Sequence, residues 1–238
     1  KVLFVVPAPS PPARWPRGQS AGAPGGPAKM RFREEPCGEA VAFRHSGVQL
    51  LRKPRKLGVK AKDVTRMAFS AEPVRKFGGR GHWFELRAEE FAGGQICLAA
   101  LGFIASDPEK LQETLDEEGT PLPGQAHKLP NTYLAGYYRS VFWDGARIEV
   151  DALFANLVPF RSFLLGVLAT VSGGLELYIN RRLVLTIDPS ERGVQPISTE
   201  EPLWAVVDMS GGLSKATVMT SSVPPTEEEG ALEGDGGG

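Results

Sequence analysis

Cysteine is nearly missing from this chain: Cys37 and Cys97 are the only two among 238 residues. Two thiols cannot build a disulfide framework, and even with three histidines they cannot build a zinc module of four thiolates or of paired thiolates and imidazoles. A reducing compartment, the cytoplasm, is therefore expected. Long apolar runs are missing as well. The stretch from Lys1 to Val6 is cut short by Pro7, so it is too short for a bilayer span and does not form a usual signal core. Because it opens on Lys1, the chain is expected to be a fragment of a longer polypeptide.

Catalytic patterns are scarce too. No Gly-x-Ser-x-Gly frames a nucleophile. His45 and His82 are read as structural and His127 as a solvated loop residue. The glycine cluster Gly78, Gly79 and Gly81 around Arg80 lacks the Lys-Ser/Thr and helix that a phosphate loop requires. Asp116, Glu117 and Glu118 lack the alternating ligands and central glycine of a calcium loop. The expectation is a binding protein with no cofactor, no metal and no catalytic residue. A hydrolase on a sandwich scaffold stands as the third alternative.

What is present begins with 28 glycines and 20 prolines, which imply many turns or unstructured ends. Residues 1–38 read as a Pro/Gly/Ala-rich leader, and residues 224–238 as an acidic, Gly-rich tail. Both have too few apolar side chains to offset the entropy of ordering. The folded part is placed at residues 39–223. Its short apolar or alternating runs, separated by Gly, Pro, Asn and Asp, predict an all-β sandwich or barrel.

Val48 to Leu51, Arg66 to Ser70 and His82 to Arg87 are candidate strands, the last with His82, Phe84 and Leu86 on one face. Gln95 to Ile104 is apolar on both faces and reads as a central strand, with a buried helix as the competing reading. Asp107 to Lys128 is a polar insertion, and Pro108 followed by Glu109 suits the first turn of a short helix. Phe163 to Val171, a Ser172-Gly173-Gly174 turn and Leu175 to Ile179 form a hairpin. Asn180 turns the chain again into Arg182 to Ile187. Leu203 to Met209 and Ser214 to Met219 are read as a last pair of strands. Asp208, on a face with Trp204 and Val206, requires a partner, and a nearby arginine is the candidate.

These residues resemble a known domain, the neuralized homology repeat, a SPRY-like β-sandwich of the neuralized ubiquitin ligases. Ala42 to Gly47 is similar to its opening Phe-His-Gly signature. Ala68 to Val74 is similar to its Phe-Ser and Pro-apolar step, and Leu98 to Pro108 to its Gly-apolar stretch closed by Asp-Pro. Leu129 to Gly136 with Trp143-Asp144-Gly145 resembles the mid-domain segment of multi-repeat neuralized-like proteins. Pro202 to Asp208 resembles the family's penultimate strand most specifically. Two departures are Ala92-Gly93-Gly94, where members carry Trp-Ser-Gly or similar, and Asn180-Arg181, where the usual turn is Asn-Gly.

The resemblance implies a concanavalin-like antiparallel β-sandwich with disordered termini. Its implied function is protein recognition, as a substrate-recognition or scaffold domain linked to ubiquitin-ligase machinery. A RING needs eight Cys or His ligands in paired spacing, which this chain does not offer.

Interface energy concentrates in a few aromatic and arginine anchors, and loops commonly present them. The candidates are Tyr138, Arg139, Trp143 and Asp144, with Arg80 and Arg161 lining the same rim. Trp143 has a second reading as a core aromatic of a strand. The basic residues from Arg52 to Arg80 leave open an anionic phospholipid headgroup or glycan as alternative ligand, or simply a solvated basic face. Nucleic acid is not expected.

Overall fold

The computed structural model describes residues 29–53, 64–91, 99–137, 139–151, 162–226 and 229. Two antiparallel sheets stack face to face. The first runs, edge to edge, β1 (Phe32–Cys37), β4 (Met67–Ser70), β14 (Trp204–Asp208), β7 (Ala100–Ile104), β8 (Thr132–Tyr137), β9 (Ser140–Trp143) and β10 (Ala146–Glu149). The second runs β13 (Arg182–Ile187), β12 (Leu175–Ile179), β11 (Phe163–Thr170), β6 (Gly81–Phe91), β15 (Leu213–Val218), β3 (Gln49–Arg52) and β2 (Val41–Arg44), with β5 (Lys76–Phe77) paired to β6. The all-β sandwich expected from the alternating runs is the observed architecture.

Period-2 alternation decides what each sheet buries. In β6, Phe84, Leu86 and Ala88 enter the core between the sheets, where Phe84 meets Phe103 of β7 edge-on at 5.4 Å. The alternate residue Trp83 faces outward and packs with Leu168 and Tyr178 in a separate apolar cluster. The outer face of the first sheet is covered by the polar insertion. Leu111, Leu122, Ala126 and Leu129 lie on Met67, Phe69, Ile104, Leu134 and Val206. That insertion holds α1 (Pro108–Glu117), which is capped where the sequence suggests: the Asp107 carboxylate accepts from the Glu109 amide at 2.9 Å, and Pro108 opens the first turn.

The hairpin of β11 and β12 forms with Val167 facing Leu177, and the chain returns into β13 with a register shift between Leu177 and Tyr178. Asn180 takes φ 49° and Arg181 φ 69° in the second turn. A four-residue α2 (Pro189–Arg192) follows β13. No helix among the described residues is long and apolar enough to cross a membrane.

Four expectations need correction or extension. The last two strands are not a pair: β14 sits between β4 and β7, whereas β15 joins β6 and β3 in the other sheet. The chain crosses between sheets because Met209 and Leu213 both enter the core, and Asp208 accepts from the Ser210 amide at 2.9 Å to turn the backbone. Asp208 finds neutral donors rather than the arginine expected, namely the Ala126 amide at 2.9 Å and the Tyr137 hydroxyl at 2.5 Å. β1 lies inside the stretch read as a leader. Its Phe32 is a core residue. Of the long apolar run at 95–104, Ala100–Ile104 is a strand covered on both sides, and residues 92–98 lie outside the described residues.

Candidate functional site

The predicted rim residues that the structure describes do not converge. Tyr138 and Arg161 lie outside the described residues. Arg139 and Asp144 flank β9 at its opposite ends, on the turns to β8 and β10, so the whole strand, a rise of about 13 Å, lies between them. Asp144, at φ 46°, accepts from the Asn131 amide at 2.7 Å and so closes a turn. Trp143 is a core residue, 3% exposed, edge-on to Tyr133 at 5.2 Å and donating from Nε1 to the Gln195 carbonyl at 2.7 Å. Its core reading is the one the geometry supports, because β9 alternation turns its ring inward. Arg80 belongs to the other sheet.

Arg139, exposed at φ 53°, lines an edge cleft of about 540 Å³ with Arg147, Glu149, Val150, Asp151 and Arg192. Arg147 is already within 3.6 Å of Glu149 and donates to Ser140 at 2.8 Å. Five of those six side chains are charged, and the cleft offers little apolar surface for a partner to bury.

A second cavity, of about 770 Å³, has the opposite character. Met30, Pro73, Val74, Phe77, Trp83 and Met219 supply an apolar lining, and Lys29, Arg31 and Arg75 bring three cations against the single acid Glu72. Arg31 is within 3.8 Å of Glu72, which among the described residues leaves Lys29 and Arg75 without an ion-pair partner on this rim. The Arg75 guanidinium lies 4.8 Å from the Phe77 ring centroid, holding a planar cation over an aromatic face. Residues 219–222 form another part of the wall.

The floor of this groove is pinned. Trp83 meets Tyr178 edge-on at 5.4 Å, and its Nε1 donates to Ser222 at 3.0 Å. The Tyr178 hydroxyl donates to Glu176 at 2.5 Å and accepts from Arg80 at 3.2 Å, with Arg80 in turn 3.8 Å from Glu176. Burial, then the hydrogen bond to Glu176, pushes the Tyr178 phenol well above its ordinary range. It therefore stays neutral and keeps donating. Arg80 thus braces the aromatic floor from beside the groove. His82 is structural, its ring nitrogens 2.9 Å from the Val74 carbonyl and 3.1 Å from the Thr199 carbonyl.

His127 departs from the solvated loop residue expected. Its ring stacks on Phe142 at 4.0 Å, and burial holds its pKa below the ordinary imidazole range. Among the described residues no group of three or more His, Cys, Asp or Glu side chains is placed to hold a metal ion.

Arg75, Phe77 and Trp83 were not singled out by sequence reasoning, although a signal existed. If Phe84 and Leu86 share the core face of a strand, Trp83 must face away from it, and an outward Trp beside Arg and Phe is an anchor composition.

The two stacked antiparallel sheets, the first with its outer face covered by the insertion, form a β-sandwich. The crystal structure of the neuralized NHR1 domain from Drosophila melanogaster has the same fold: TM-score 0.51, 17% identity, 82% of this chain and 99% of that chain covered. The solution structure of the NHR domain in Neuralized from Drosophila melanogaster gives a TM-score of 0.51 at 18% identity, covering 84% of this chain and 96% of that chain. No protein-family model matches the sequence, and no curated protein matches it. The fold expected from the ordered motifs is thus the fold observed.

Proposed function

We propose that this chain is a protein-recognition module that grips a protein ligand in the groove floored by Trp83. The observation that carries the reading is the combination in one cavity of an aromatic and aliphatic floor with an arginine stacked on Phe77. Buried aromatics and arginines supply most of the energy of protein interfaces, whereas purely charged surfaces are depleted at their centres. The groove has this composition and the edge cleft at Arg139 does not. An anionic lipid headgroup would use the cations but leave the apolar floor unfilled. A substrate-recognition or scaffold role in ubiquitin-ligase machinery is the finer form of the proposal, supported by the resemblance of the ordered motifs to the neuralized repeats.

The test is paired capture from a cell lysate with immobilised wild-type chain, an Arg75→Glu/Phe77→Ala double variant and an Arg139→Glu variant. A protein retained by the wild type and by Arg139→Glu, and lost by the double variant, is the expected result. Loss through Arg139→Glu alone, or equal retention by all three chains, contradicts the proposal.

A further inference from the structure

The wall of the groove continues into a strap. After β15, the chain turns at residues 220–221 and Ser222 accepts from Trp83 Nε1 at 3.0 Å on the outer face of the second sheet. The Val223 carbonyl then accepts from Arg181 Nη2 at 3.2 Å, and the Glu229 carboxylate lies 3.8 Å from the same nitrogen. Arg181 is the node between sheet and strap, because its Nη1 is also 3.7 Å from Glu85 of β6.

The strap is lightly held. Pro225 is buried, but Ser221 and Thr226 are exposed and Val223 is 52% exposed. Among the described residues of this segment one side chain is buried, and the side-chain hydrogen bonds that reach it from the sheet come from Trp83 and Arg181, which places it at the low-stability end of the structure. The sheet beneath is not built for a permanent cover. The Glu85 side chain is 3% exposed, its Oε1 has no hydrogen bond, and the Arg181 charge facing it is shared with Glu229. Arg181 also sits at φ 69°, in the left-handed region a hairpin turn gives to glycine. Glycine there would relieve the backbone but remove the side chain that reaches the strap.

We infer that residues 221–226, together with the Glu229 carboxylate, are an internal ligand of this face, and that an acidic segment of a partner protein takes their place. The chemistry of the occupant is read from the resident contacts: a hydroxyl for Trp83 Nε1, a backbone carbonyl and a carboxylate for Arg181, and further acids for the cations Lys29 and Arg75 on the adjoining rim. The inference deepens the reading of the groove as a protein-docking site and rests on it.

The test needs no outside partner, so its outcome is separable from that of the capture experiment. A fluorescent peptide of residues 221–229 is titrated by anisotropy into the full wild-type chain and into a strap-release chain carrying Ser222→Ala and Glu229→Gln. Binding at least about tenfold tighter to the release chain, a difference of about 1.4 kcal/mol, is expected. A peptide carrying Glu229→Gln should bind that chain more weakly, which reads the Arg181 contact without altering the fold. Equal binding to both chains, no binding to the release chain, or indifference to Glu229→Gln in the peptide overturns the inference.

Discussion

Gly166 is the position where the account of the Trp83 floor is most exposed to test. It stands in β11 opposite Glu85 on one side and Tyr178 on the other. A Cβ added there would lie 2.7 Å from Trp83 Cζ2 and 2.9 Å from Cζ3, and closer still to Cη2. All three are below van der Waals contact, so the indole must swing. Trp83 is 2% exposed and fixed by Tyr178 and Ser222, so it has no free space to enter.

Forcing such a ring off its site costs about 1–3 kcal/mol. Losing the Nε1 hydrogen bond adds about 1 kcal/mol. The reduced entropy of the unfolded chain on Gly→Ala offsets at most about 1 kcal/mol. The net, about 2 kcal/mol, corresponds to a melting point lowered by about 4–8 °C for a chain of this size. Thermal unfolding by far-UV circular dichroism reads the shift, and near-UV dichroism reads the indole. In a Trp83→Leu background the same Gly166→Ala change should cost almost nothing, because the clashing atoms are gone. An unchanged melting point for Gly166→Ala, or an equal loss in both backgrounds, refutes the packing argument.

Three further perturbations probe other parts of the structure. Burial holds the Glu85 carboxyl above the ordinary range, with Arg181 and then Arg87 opposing. The folded chain therefore binds this proton more tightly than the unfolded chain does. Its contribution is full below the unfolded pKa and is lost as pH rises through the raised folded value. The melting point of Glu85→Gln relative to wild type should accordingly rise as pH increases above the ordinary Glu range, and a difference that stays flat or falls with pH contradicts this. Trp143→Ala should destabilise by about 3–5 kcal/mol in urea unfolding, as expected for a core ring; a loss near zero returns Trp143 to the surface. Asp208→Asn, which weakens the acceptor of the Tyr137 and Ala126 bonds, should cost about 1.5–3 kcal/mol in the same assay, and a neutral result would mean that those bonds do not anchor the insertion.

Local pattern carried much of the fold. The β11–β12 hairpin, the Asn180 turn and the Pro108 helix each depend on residues within a few positions of one another, and each stands where the sequence places it. Sheet assignment was another matter. Trp204–Asp208 and Leu213–Val218 alternate like hairpin partners, and only the burial of Met209 and Leu213 between the sheets reveals that the connection crosses the core. β1 escaped detection because Phe32 is followed by Arg33, Glu34 and Glu35, a charged run whose order comes from pairing with β4 rather than from its own composition.

The candidate site was read in part for a similar reason. Arg80, expected on the rim with Trp143, instead donates to Tyr178 and lies beside Glu176 at the second sheet. Trp143 points inward. Side-chain direction depends on which sheet face the strand buries, and the groove is closed by residues as distant in sequence as Met30, Phe77 and Met219. No local motif reports a juxtaposition of that span.

The central claim, a protein-docking face at Trp83, is tested most directly by hydrogen exchange of the full chain with and without a captured protein partner. Slowed exchange at Arg75 to Phe77 is expected together with faster exchange at Val223 and Thr226, as the partner covers the groove and lifts the strap. Protection confined to the β8–β9 turn and the edge cleft at Arg139, with the groove and strap unchanged, would contradict it.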